Sequence, residues 1–370
     1  MKTKNELLCF GNAIVDVFAD VDSTWLDSHG VKEPVQHISR EDAQRLLEEL
    51  DTPAQAGASA RTGVVLSSGG TAANVAKIAA MLNINAAFVG CVGAAPQNLP
   101  NGPLQRNGDD LAAIFERDLR DAGVVPILGI GEQKTGLCFA FSCHGETRIA
   151  ASPGAALELT EDDVREELFD GAEAVMLDGY MLDRRPLVQR ILQLANQRGI
   201  PIALDAGSVF QIRERTEEIL HYSRNYPLIV FMNADESIVF YNNIKKNSDT
   251  IEASTEREKE TLILREICPV LKYMTEGEIF PIIVIKLGGR GVAVLAGGNI
   301  YREETFTIIP RNTVGAGDAF CAAFLSAWIR GKSMRECASL GNKVALKILE
   351  VPGTGIKSRK LKSFAKMLRK

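Results

Sequence analysis

The sequence Asn312-Thr313-Val314-Gly315-Ala316-Gly317-Asp318 leads directly into the apolar segment AFCAAFLSAW. Its small residues at 315–317 leave the backbone uncovered where a loop enters a helix, so their amides can all point at one anion, and the helix N-terminus adds partial positive charge. Asp318, in the first helical turn, would repel a phosphate ligand but can take a proton from a hydroxyl group that attacks phosphorus. Taken alone, the segment is equally compatible with an ordinary capped helix start.

A second glycine-rich segment, Ser67-Ser68-Gly69-Gly70-Thr71-Ala72-Ala73-Asn74, precedes the helical pattern VAKIAAML. Gly69 and Gly70 allow the backbone to approach a ligand closely, and Asn74 offers a donor and an acceptor from the first helical turn. These groups suit a polyhydroxylated ligand. The alternative is a glycine-rich turn whose Asn74 faces solvent.

Around these segments, runs rich in Val, Ile and Phe alternate with amphipathic helical patterns. Near-continuous apolar runs such as AVMLD, PIALD and PIIVIK predict strands buried on both faces, which is typical of a parallel sheet. The alternation predicts an α/β fold with a doubly wound, mainly parallel sheet flanked by helices. The predicted strands are 7–18, 86–92, 136–142, 174–178, 200–204, 228–232 and 282–286. The predicted helices are 40–50, 72–82, 109–122, 161–168, 186–198, 317–330 and 334–349.

Two regions, 18–38 and 125–152, show short alternating strands without matching helices. They predict either a small antiparallel β lid over the carboxyl edge of the sheet or ordinary surface hairpins. We expect one domain over 1–370 that contains this lid and three inserted polar loops, which are expected to be mobile. The loops are 51–63, 94–108 and 242–260.

The composition excludes several classes of function. The chain has 370 residues, 46% hydrophobic and 24% charged, which are ordinary globular values and exclude a disordered or fibrous chain. A formal net charge of −5 provides no global attraction to nucleic acid or to an anionic membrane, so we expect a small-molecule partner.

Seven cysteines without a C-x-x-C, and four histidines without paired spacing, argue for a reducing compartment and against a zinc site. Without an apolar run of signal-peptide length at the N-terminus, we expect a cytoplasmic protein.

Five motifs follow one another along the chain. They are Phe10-Gly11-Asn12-Ala13-Ile14-Val15-Asp16, Gly69-Gly70-x-Ala72-x-Asn74, Thr135-Gly136, Asn233-x-x-Glu236 and the segment 312–318. In this order they resemble the ribokinase-like (PfkB) family of carbohydrate and nucleoside kinases, from Phe10 to Gly355. The first motif, Gly-Asn-x-x-x-Asp, is most similar to the adenosine-kinase-like branch.

The resemblance implies an acceptor site and a catalytic base. The residues implied for the acceptor are Asn12, Asp16, Gly69, Gly70 and Asn74. Asp16 would accept hydrogen bonds from a pair of ligand hydroxyls, so that an analogue without them would leave a buried carboxylate unpaired. Asp318 would be the base, and the amides of Gly315, Ala316 and Gly317 would hold the charge that builds on the transferred phosphoryl group.

The resemblance also implies an ATP site. Its residues are Asn233, Glu236, Lys286, Gly288, Gly291, Thr313 and Asn342. Glu236 would order magnesium through water molecules, because Mg²⁺ keeps several waters when it binds near phosphates. The glycines of Lys286-Leu287-Gly288-Gly289-Arg290-Gly291 resemble the family's T-x-G-x-x-G, although a plain hairpin turn also explains most of them. Asn312 stands where the family usually has Asp beside a monovalent-cation site, which argues against activation by potassium.

The predicted function is a magnesium-dependent kinase that transfers the γ-phosphoryl group of ATP to a primary hydroxyl of a sugar or nucleoside, with an adenosine kinase as the more specific alternative. A non-catalytic sugar or nucleoside sensor is the alternative from another class. A nicotinamide dehydrogenase needs G-x-G-x-x-G after the first strand, where FADVDSTW stands instead. Aromatic residues of the lid could form a slot for a base, cover a sugar or form a homodimer interface, and the sequence does not separate these roles. They are Phe18, Trp25, Phe139 and Phe141.

Overall fold

The structure, a computed structural model, describes residues 4–33, 35–51, 64–95, 108–143, 146–245, 251–276, 281–306, 308, 314–350 and 361–368. In chain order its strands are β1 (Leu7–Phe10), β2 (Ile14–Asp20), β3 (Val35–His37), β4 (Val65–Gly69), β5 (Ala86–Gly93), β6 (Val125–Gly131), β7 (Thr135–Cys143), β8 (Glu146–Gly154), β9 (Ala174–Asp178), β10 (Ile202–Asp205), β11 (Leu228–Asn233), β12 (Ile282–Lys286), β13 (Val292–Ala296) and β14 (Asn299–Glu303).

These strands form a large sheet and a smaller one. The large sheet has the order β14-β13-β12-β11-β10-β9-β1-β5-β6. Its strands from β12 to β6 are parallel, while β13 and β14 extend one edge with antiparallel pairs. The smaller sheet, β3-β8-β7-β2-β4, is mixed and forms the lid. The predicted α/β fold with a mainly parallel sheet and a β lid is confirmed.

Helices lie between the strands of both sheets and after the last strand. They are α1 (Ser23–Ser28), α2 (Arg40–Asp51), α3 (Thr71–Met81), α4 (Asp110–Asp121), α5 (Arg185–Gln197), α6 (Val209–Asn225), α7 (Ala234–Lys245), α8 (Glu256–Leu262), α9 (Cys268–Leu271), α10 (Ala316–Ile329), α11 (Met334–Leu349) and α12 (Lys362–Met367). A π-helical turn, Ile263–Ile267, joins α8 to α9. Short 3-10 turns occupy Ala155–Glu158, Glu161–Asp163, Glu166–Phe169, Gly179–Asp183, Lys272–Thr275 and Gly288–Arg290.

The large sheet is buried on both faces, which explains its continuous apolar strands. In β1, Leu7 and Cys9 belong to a cluster that includes side chains of α3, α10 and α11. Leu8 and Phe10, which point to the opposite face, belong to a cluster that includes α5, α6 and α7. The two helical layers therefore hold the carboxyl ends of the strands in fixed positions.

The boundaries of the lid differ from the prediction. The single strand predicted over 7–18 is wrong, because the chain leaves β1 at Gly11 and enters the lid as β2. A Cβ atom on Gly11 would lie 2.6 Å from that of Ala72, so the crossing packs tightly against α3. The region 125–131, assigned to the lid from sequence, is β6 and pairs with β5 at the edge of the large sheet. The lid also includes β4, which the sequence analysis did not identify.

The predicted helix 161–168 is also wrong. Thr160 and Asp163 form a capping box around a single 3-10 turn, and Arg165 is extended before the next turn. Val164 and Phe169 are both buried, and their spacing of five residues does not place them on one face of an α-helix. Conversely, the loop predicted over 242–260 is helical at both ends, in α7 and α8.

Several predicted features lie outside the described residues. These are 52–63, 96–107 and 246–250 of the predicted loops, together with Asn312 and Thr313. In the part of the chain that the structure describes, no helix combines the length and apolar character needed to cross a bilayer.

Candidate functional site

The carboxyl ends of the parallel strands bring charged side chains to one edge of the large sheet. Asp178, Asp205 and Lys286 are the last residues of β9, β10 and β12. Asn233 ends β11, which lies between β10 and β12. Ligands of open α/β sheets bind at this edge, because the loops and helix N-termini converge there.

The two glycine-rich segments meet at Asp318. Helix α10 begins after Gly315, whose φ of 80° lies in the left-handed region that glycine adopts without strain. In the first turn of α3, Asn74 donates a hydrogen bond from Nδ2 to Oδ2 of half-buried Asp318 over 2.8 Å. Burial, together with the negative charge of Asp205, raises the pKa of Asp318 to about 6, while the bond from Asn74 opposes the rise. Asp318 is therefore mainly ionised at neutral pH, as a general base must be.

Asp16 lies on lid strand β2, where its carboxylate faces Gly69 of β4. A Cβ atom on Gly69 would lie 2.1 Å from Oδ1 of Asp16, so only glycine leaves room for this carboxylate. Lys77 of α3 donates from Nζ to the backbone oxygen and to Oγ of Ser68, at 2.5 Å and 2.9 Å. Burial raises the pKa of Asp16 to about 7. The positive charge of Lys77 opposes this rise, and the negative charge of Asp318 adds to it. Burial also lowers the pKa of Lys77.

Lys286 brings a positive charge beside the first turn of α10. Its Nζ lies 2.9 Å from Oδ2 of Asp205 and 3.8 Å from Sγ of Cys321. A Cβ atom on Gly317 would lie 3.4 Å from the same Nζ. Burial favours the neutral lysine, but the negative charge of Asp205 and its neighbours outweighs it, so that the pKa of Lys286 is raised. An ammonium group and the uncovered amides of 315–317 at one helix start suit a phosphate group.

Asn233 and Glu236 form hydrogen bonds with each other at the start of α7. Glu236 accepts from the backbone N and from Nδ2 of Asn233, both at 2.7 Å, and its own amide donates to Oδ1 of Asn233 over 2.9 Å. Burial raises the pKa of Glu236 to about 7, whereas the charge of Lys286 lowers it. Each carboxylate oxygen of Glu236 uses one lone pair in this motif and retains another.

Asn12 follows β1 and lies beside Gly70, the second glycine of the segment 67–74, which we call the acceptor segment because the sequence predicts acceptor binding there. A Cβ atom on Gly70, whose φ is 85°, would lie 2.6 Å from the backbone oxygen of Asn12. Oδ1 of Asn12 accepts a hydrogen bond from Nη2 of Arg184 over 2.6 Å. Next to them, Asp178 accepts from the amide of Tyr180 over 3.0 Å. Burial raises the pKa of Asp178 to about 7, and the charges of nearby carboxylates add to the rise.

The remaining predicted ATP residues lie farther along the sheet. Gly288 belongs to the turn between β12 and β13, and Gly291, at φ 91°, accepts a hydrogen bond from the amide of Leu287 over 2.8 Å. This geometry is a hairpin turn, as the sequence alternative proposed. Asn342 of α11 donates from Nδ2 to the backbone oxygens of Glu303 and Glu304, both at 3.3 Å. Thr313 lies outside the described residues.

The aromatic residues of the lid divide between its two faces. Phe139 and Phe141 are fully buried, with ring centroids 5.6 Å apart, and Trp25 lies 5.2 Å from Phe141. In the register of β2 and β7, Asp16 pairs with Cys138, and Phe18 pairs with Ala140. Because side chains alternate along a strand, Phe18 shares the face of Asp16, whereas Phe139 and Phe141 point to the other face.

The family model for pfkB carbohydrate kinases matches residues 104–361. The chain belongs to this family. As a pfkB carbohydrate kinase it is a phosphotransferase that acts on an alcohol group. The pfkB match includes the Asn233-x-x-Glu236 motif and the segment 312–318, while the first two motifs of the chain precede it.

Curated pfkB relatives and solved structures agree with this assignment. An ATP-dependent ribose-1-phosphate kinase from Halopiger xanaduensis is 24% identical over 282 residues, which are 75% of this chain and 78% of the relative. A 5-dehydro-2-deoxygluconokinase from Clostridium beijerinckii is 24% identical over 287 residues, 75% of this chain and 76% of the relative. The structure of adenosine kinase from Sinorhizobium meliloti has a TM-score of 0.76 at 24% identity and covers 99% of both chains. A probable sugar kinase from Rhizobium etli has the same TM-score at 23% identity, again with 99% of both chains covered. These similarities to solved structures establish the fold.

Sequence reasoning missed several charged residues of this candidate site. Asp178 and Asp205 are the last letters of AVMLD and PIALD, and a polar residue that ends a buried parallel strand is a signal for the ligand edge. Lys77 lies three residues after Asn74 and on the same side of α3, so helical spacing could have found it. Arg184 gave no comparable signal, because its position depends on the turn Gly179–Asp183.

Proposed function

We propose that the chain is an ATP-dependent kinase that transfers the γ-phosphoryl group to a primary hydroxyl of a sugar or nucleoside, with Asp318 as the general base. The observation that carries this proposal is the place of Asp318, beside the amides of 315–317 and bonded to Asn74 of the acceptor segment. A carboxylate at an anion site weakens the binding of a ground-state phosphate. It is useful there when it receives the proton of an attacking hydroxyl.

On the acceptor side, Asp16 would accept hydrogen bonds from two neighbouring hydroxyls. Gly69 and Gly70 would let the backbone approach the ring, while Asn12 and Asn74 would orient it. Asp16 is only 7% exposed, so an acceptor that lacks these hydroxyls would leave the carboxylate with only the weak thiol donor of Cys138. Asn74, which touches Asp318, would hold the reacting hydroxyl within reach of the base.

On the donor side, Lys286 and the amides of Gly315, Ala316 and Gly317 would stabilise the charge on the phosphoryl group during in-line transfer. This arrangement is already organised in the folded protein, because Asp205 holds the lysine in place. The other residues proposed for ATP are Asn233, Glu236, Gly288, Gly291, Thr313 and Asn342. The hairpin turn around Gly291 would form one wall of the nucleotide site.

The residues near the phosphates fit a magnesium ion held through water. Among the described residues, no group of three or more His, Cys, Asp or Glu side chains has the geometry of a metal cage. Mg²⁺ that binds with ATP needs no such cage, because phosphate oxygens and waters fill most of its coordination shell. Glu236, with a free lone pair on each carboxylate oxygen, would accept hydrogen bonds from those waters. The ion would supply charge neutralisation on the phosphates.

The acceptor is the open question within this function, and we propose a sugar ahead of a purine nucleoside. Curated relatives are named for ribose 1-phosphate and for 5-dehydro-2-deoxygluconate, which supports a sugar-derived acceptor. A purine needs an aromatic slot beyond the ribose. Phe139 and Phe141 are buried on the opposite face of the lid, and Trp25 packs against Phe141, which leaves Phe18 of the four candidates on the face of Asp16. Adenosine kinase therefore stays the specific alternative.

A homodimer through the lid also stays a prediction. The edge strands of the lid are β3 and β4. Val35 on β3 and Val65 on β4 are 59% and 58% exposed, so each of the two opposite edges presents an apolar side chain that a second copy of the chain could cover.

The experiment is ADP release with Mg²⁺ and ATP across ribose, fructose, sugar acids, sugar phosphates, adenosine, guanosine, inosine and cytidine, with Asp318→Asn beside the wild type. We expect one acceptor to stimulate release in the wild type and not in the variant, with the phosphate on a primary hydroxyl of the product. Binding of ATP and acceptor without ADP release would contradict the proposal and support a sensor.

A further inference from the structure

Arg184 reaches the acceptor side of the site from the residue before α5. Its Nη2 donates to Oδ1 of Asn12, and its Nη1 donates to the backbone oxygen of Ala156, both over 2.6 Å. Nε of the same guanidinium is buried and has no hydrogen-bond partner in the described part of the chain. Arg184 therefore uses two of its five N–H donors on neutral oxygens, and Nε together with the second hydrogen of an Nη atom remains available.

The charge of Arg184 is not matched by a bonded carboxylate. None of the ion pairs among the described residues includes it, although Arg185, Arg190, Arg198 and Arg215 nearby all have one. Asp178 and Asp183 act on Arg184 only through space, and Asp178 bonds to the amide of Tyr180 instead. Burial lowers the pKa of Arg184, which is the expected effect on a cation without a close counter-ion. A guanidinium stays charged nonetheless, so its burial is a cost that a bound anion would offset.

The location of Arg184 separates it from the phosphoryl-transfer end of the site. Asn12 contacts Gly70 through its backbone oxygen, so the guanidinium lies on the Gly70 side of the acceptor segment. The base, Asp318, contacts the same segment through Asn74 in the first turn of α3. An acceptor that spans the segment would place its reacting hydroxyl at Asp318 and another substituent at Arg184.

We propose that Arg184 binds an anionic group of the acceptor, a carboxylate or a phosphate monoester, and so selects acidic sugars over neutral ones. The inference rests on the proposed kinase function and adds the chemical class of its acceptor. Both anions present two coplanar oxygens, and a guanidinium edge formed by Nε and an Nη atom matches them with two parallel hydrogen bonds.

The test compares matched acceptor pairs that differ in one anionic group. D-ribose is paired with ribose 1-phosphate, and D-fructose with 2-keto-D-gluconate, so the two pairs distinguish phosphate from carboxylate. Specificity constants, kcat/KM, are measured for wild type, Arg184→Gln and Arg184→Lys. Arg190→Gln is the control, because Arg190 lies on α5 with a long contact of 3.9 Å to Glu166. Binding of the same four compounds is measured by calorimetry.

We expect the wild type to prefer the anionic member of at least one pair by about 10-fold or more. Arg184→Gln should abolish that preference, a loss of about 10-fold or more, since the bound anion loses a desolvated charge partner. Arg184→Lys should keep part of the preference, and Arg190→Gln all of it. A role of Arg184 in merely holding Asn12 predicts that both members of each pair weaken equally, which would overturn the inference.

The binding data separate this inference from the kinase proposal. Selective anion binding that Arg184→Gln removes, without any ADP release, would reject the kinase and keep the anion site. Asp318-dependent turnover of the neutral acceptors alone, or no binding of either anionic probe to the wild type, would overturn the anion site.

Discussion

Asn74 donates a hydrogen bond to Asp318 across 2.8 Å and thereby joins two segments that lie 244 residues apart in the chain. The contact links the first turn of α3, on the acceptor side, to the first turn of α10, at the anion site. A donor to the carboxylate favours its ionised form. In the proposed function, the same bond would position Asp318 as the base and set the pH range in which it works.

The pH dependence of the reaction should report this bond. The pKa of Asp318 is raised to about 6, so kcat/KM should fall as the pH drops through about 6 and the base becomes protonated. Asn74→Ala removes a group that lowers this pKa, so the acid limb should move to higher pH. The measurement is a pH profile of kcat/KM, with exposed Asn196→Ala as the control. An acid limb that stays in place in Asn74→Ala would contradict the assignment.

Gly69→Ala should damage acceptor binding selectively. The new Cβ atom would lie 2.1 to 2.3 Å from the carboxylate atoms of Asp16, so the side chain must leave its position. We expect KM for the acceptor to rise about 10-fold or more, the equivalent of one lost charge-assisted hydrogen bond, while the Kd for ATP stays within about twofold. Gly129→Ala is the control, because its Cβ atom would meet atoms of Cys91 and Gly90 at ordinary distances of 3.7 to 3.9 Å. Equal effects of both substitutions would contradict the role of Asp16.

Lys286→Met should weaken ATP binding and also destabilise the fold. It leaves Asp205, 10% exposed, without the ammonium group that lies 2.9 Å away, and breaking a buried pair typically costs about 3–5 kcal/mol. In the double variant Lys286→Met with Asp205→Asn, the unpaired negative charge of Asp205 is removed, so the free energy of unfolding should be higher than in Lys286→Met. The affinity for ATP should stay as low as in Lys286→Met. Denaturant unfolding and ATP titration of the wild type, Lys286→Met and the double variant check this. Wild-type ATP affinity in the double variant would show that Lys286 does not bind the phosphates.

Asp178→Asn should stabilise the protein at neutral pH. The pKa of Asp178 is about 7 in the folded chain against 3.8 for an ordinary aspartate, so the folded state holds a proton that the unfolded state releases. Stability therefore falls as pH rises from about 4 to about 7, and an uncharged Asn avoids that loss. We expect a gain of roughly 1–3 kcal/mol at pH 8 and little gain at pH 4. Thermal unfolding at both pH values, with exposed Asp162→Asn as the control, measures it. A pH-independent effect would contradict the burial of an ionisable carboxyl.

The fold was predictable where the sequence is periodic and the strands are apolar throughout. The strands over 174–178 and 282–286 and the helix over 334–349 have the predicted bounds, because burial on both faces or on one stripe leaves a clear pattern. The prediction failed where tertiary contacts determine the bounds of a strand. One apolar run became β1 and β2 because Gly11 lets the chain cross against Ala72, a contact that no local pattern encodes.

The site was predictable where backbone and side-chain chemistry are both local. The local sequence around Gly69 predicts a close approach of the backbone to a ligand. The local sequence that contains Gly315 and Asp318 predicts an anion site. Arg184, which the sequence analysis did not identify, lies in the site because it bonds to Asn12, far away in the sequence. The pairing of the predicted residue Lys286 with Asp205 is also distant in the sequence. Such pairings depend on the order of strands in the sheet, which the sequence pattern does not specify.

The central claim is that Asp318 acts as the base and not as a binding residue. The most direct test is the single-turnover rate of phosphoryl transfer in Asp318→Asn, with the acceptor that gives the fastest ADP release and with Asp121→Asn, an exposed aspartate of α4, as the control. We predict a loss of roughly 10²–10⁴-fold in rate, with the Kd for ATP within about threefold of the wild type. A rate close to that of the wild type, or a loss explained by weaker ATP binding, would contradict the account.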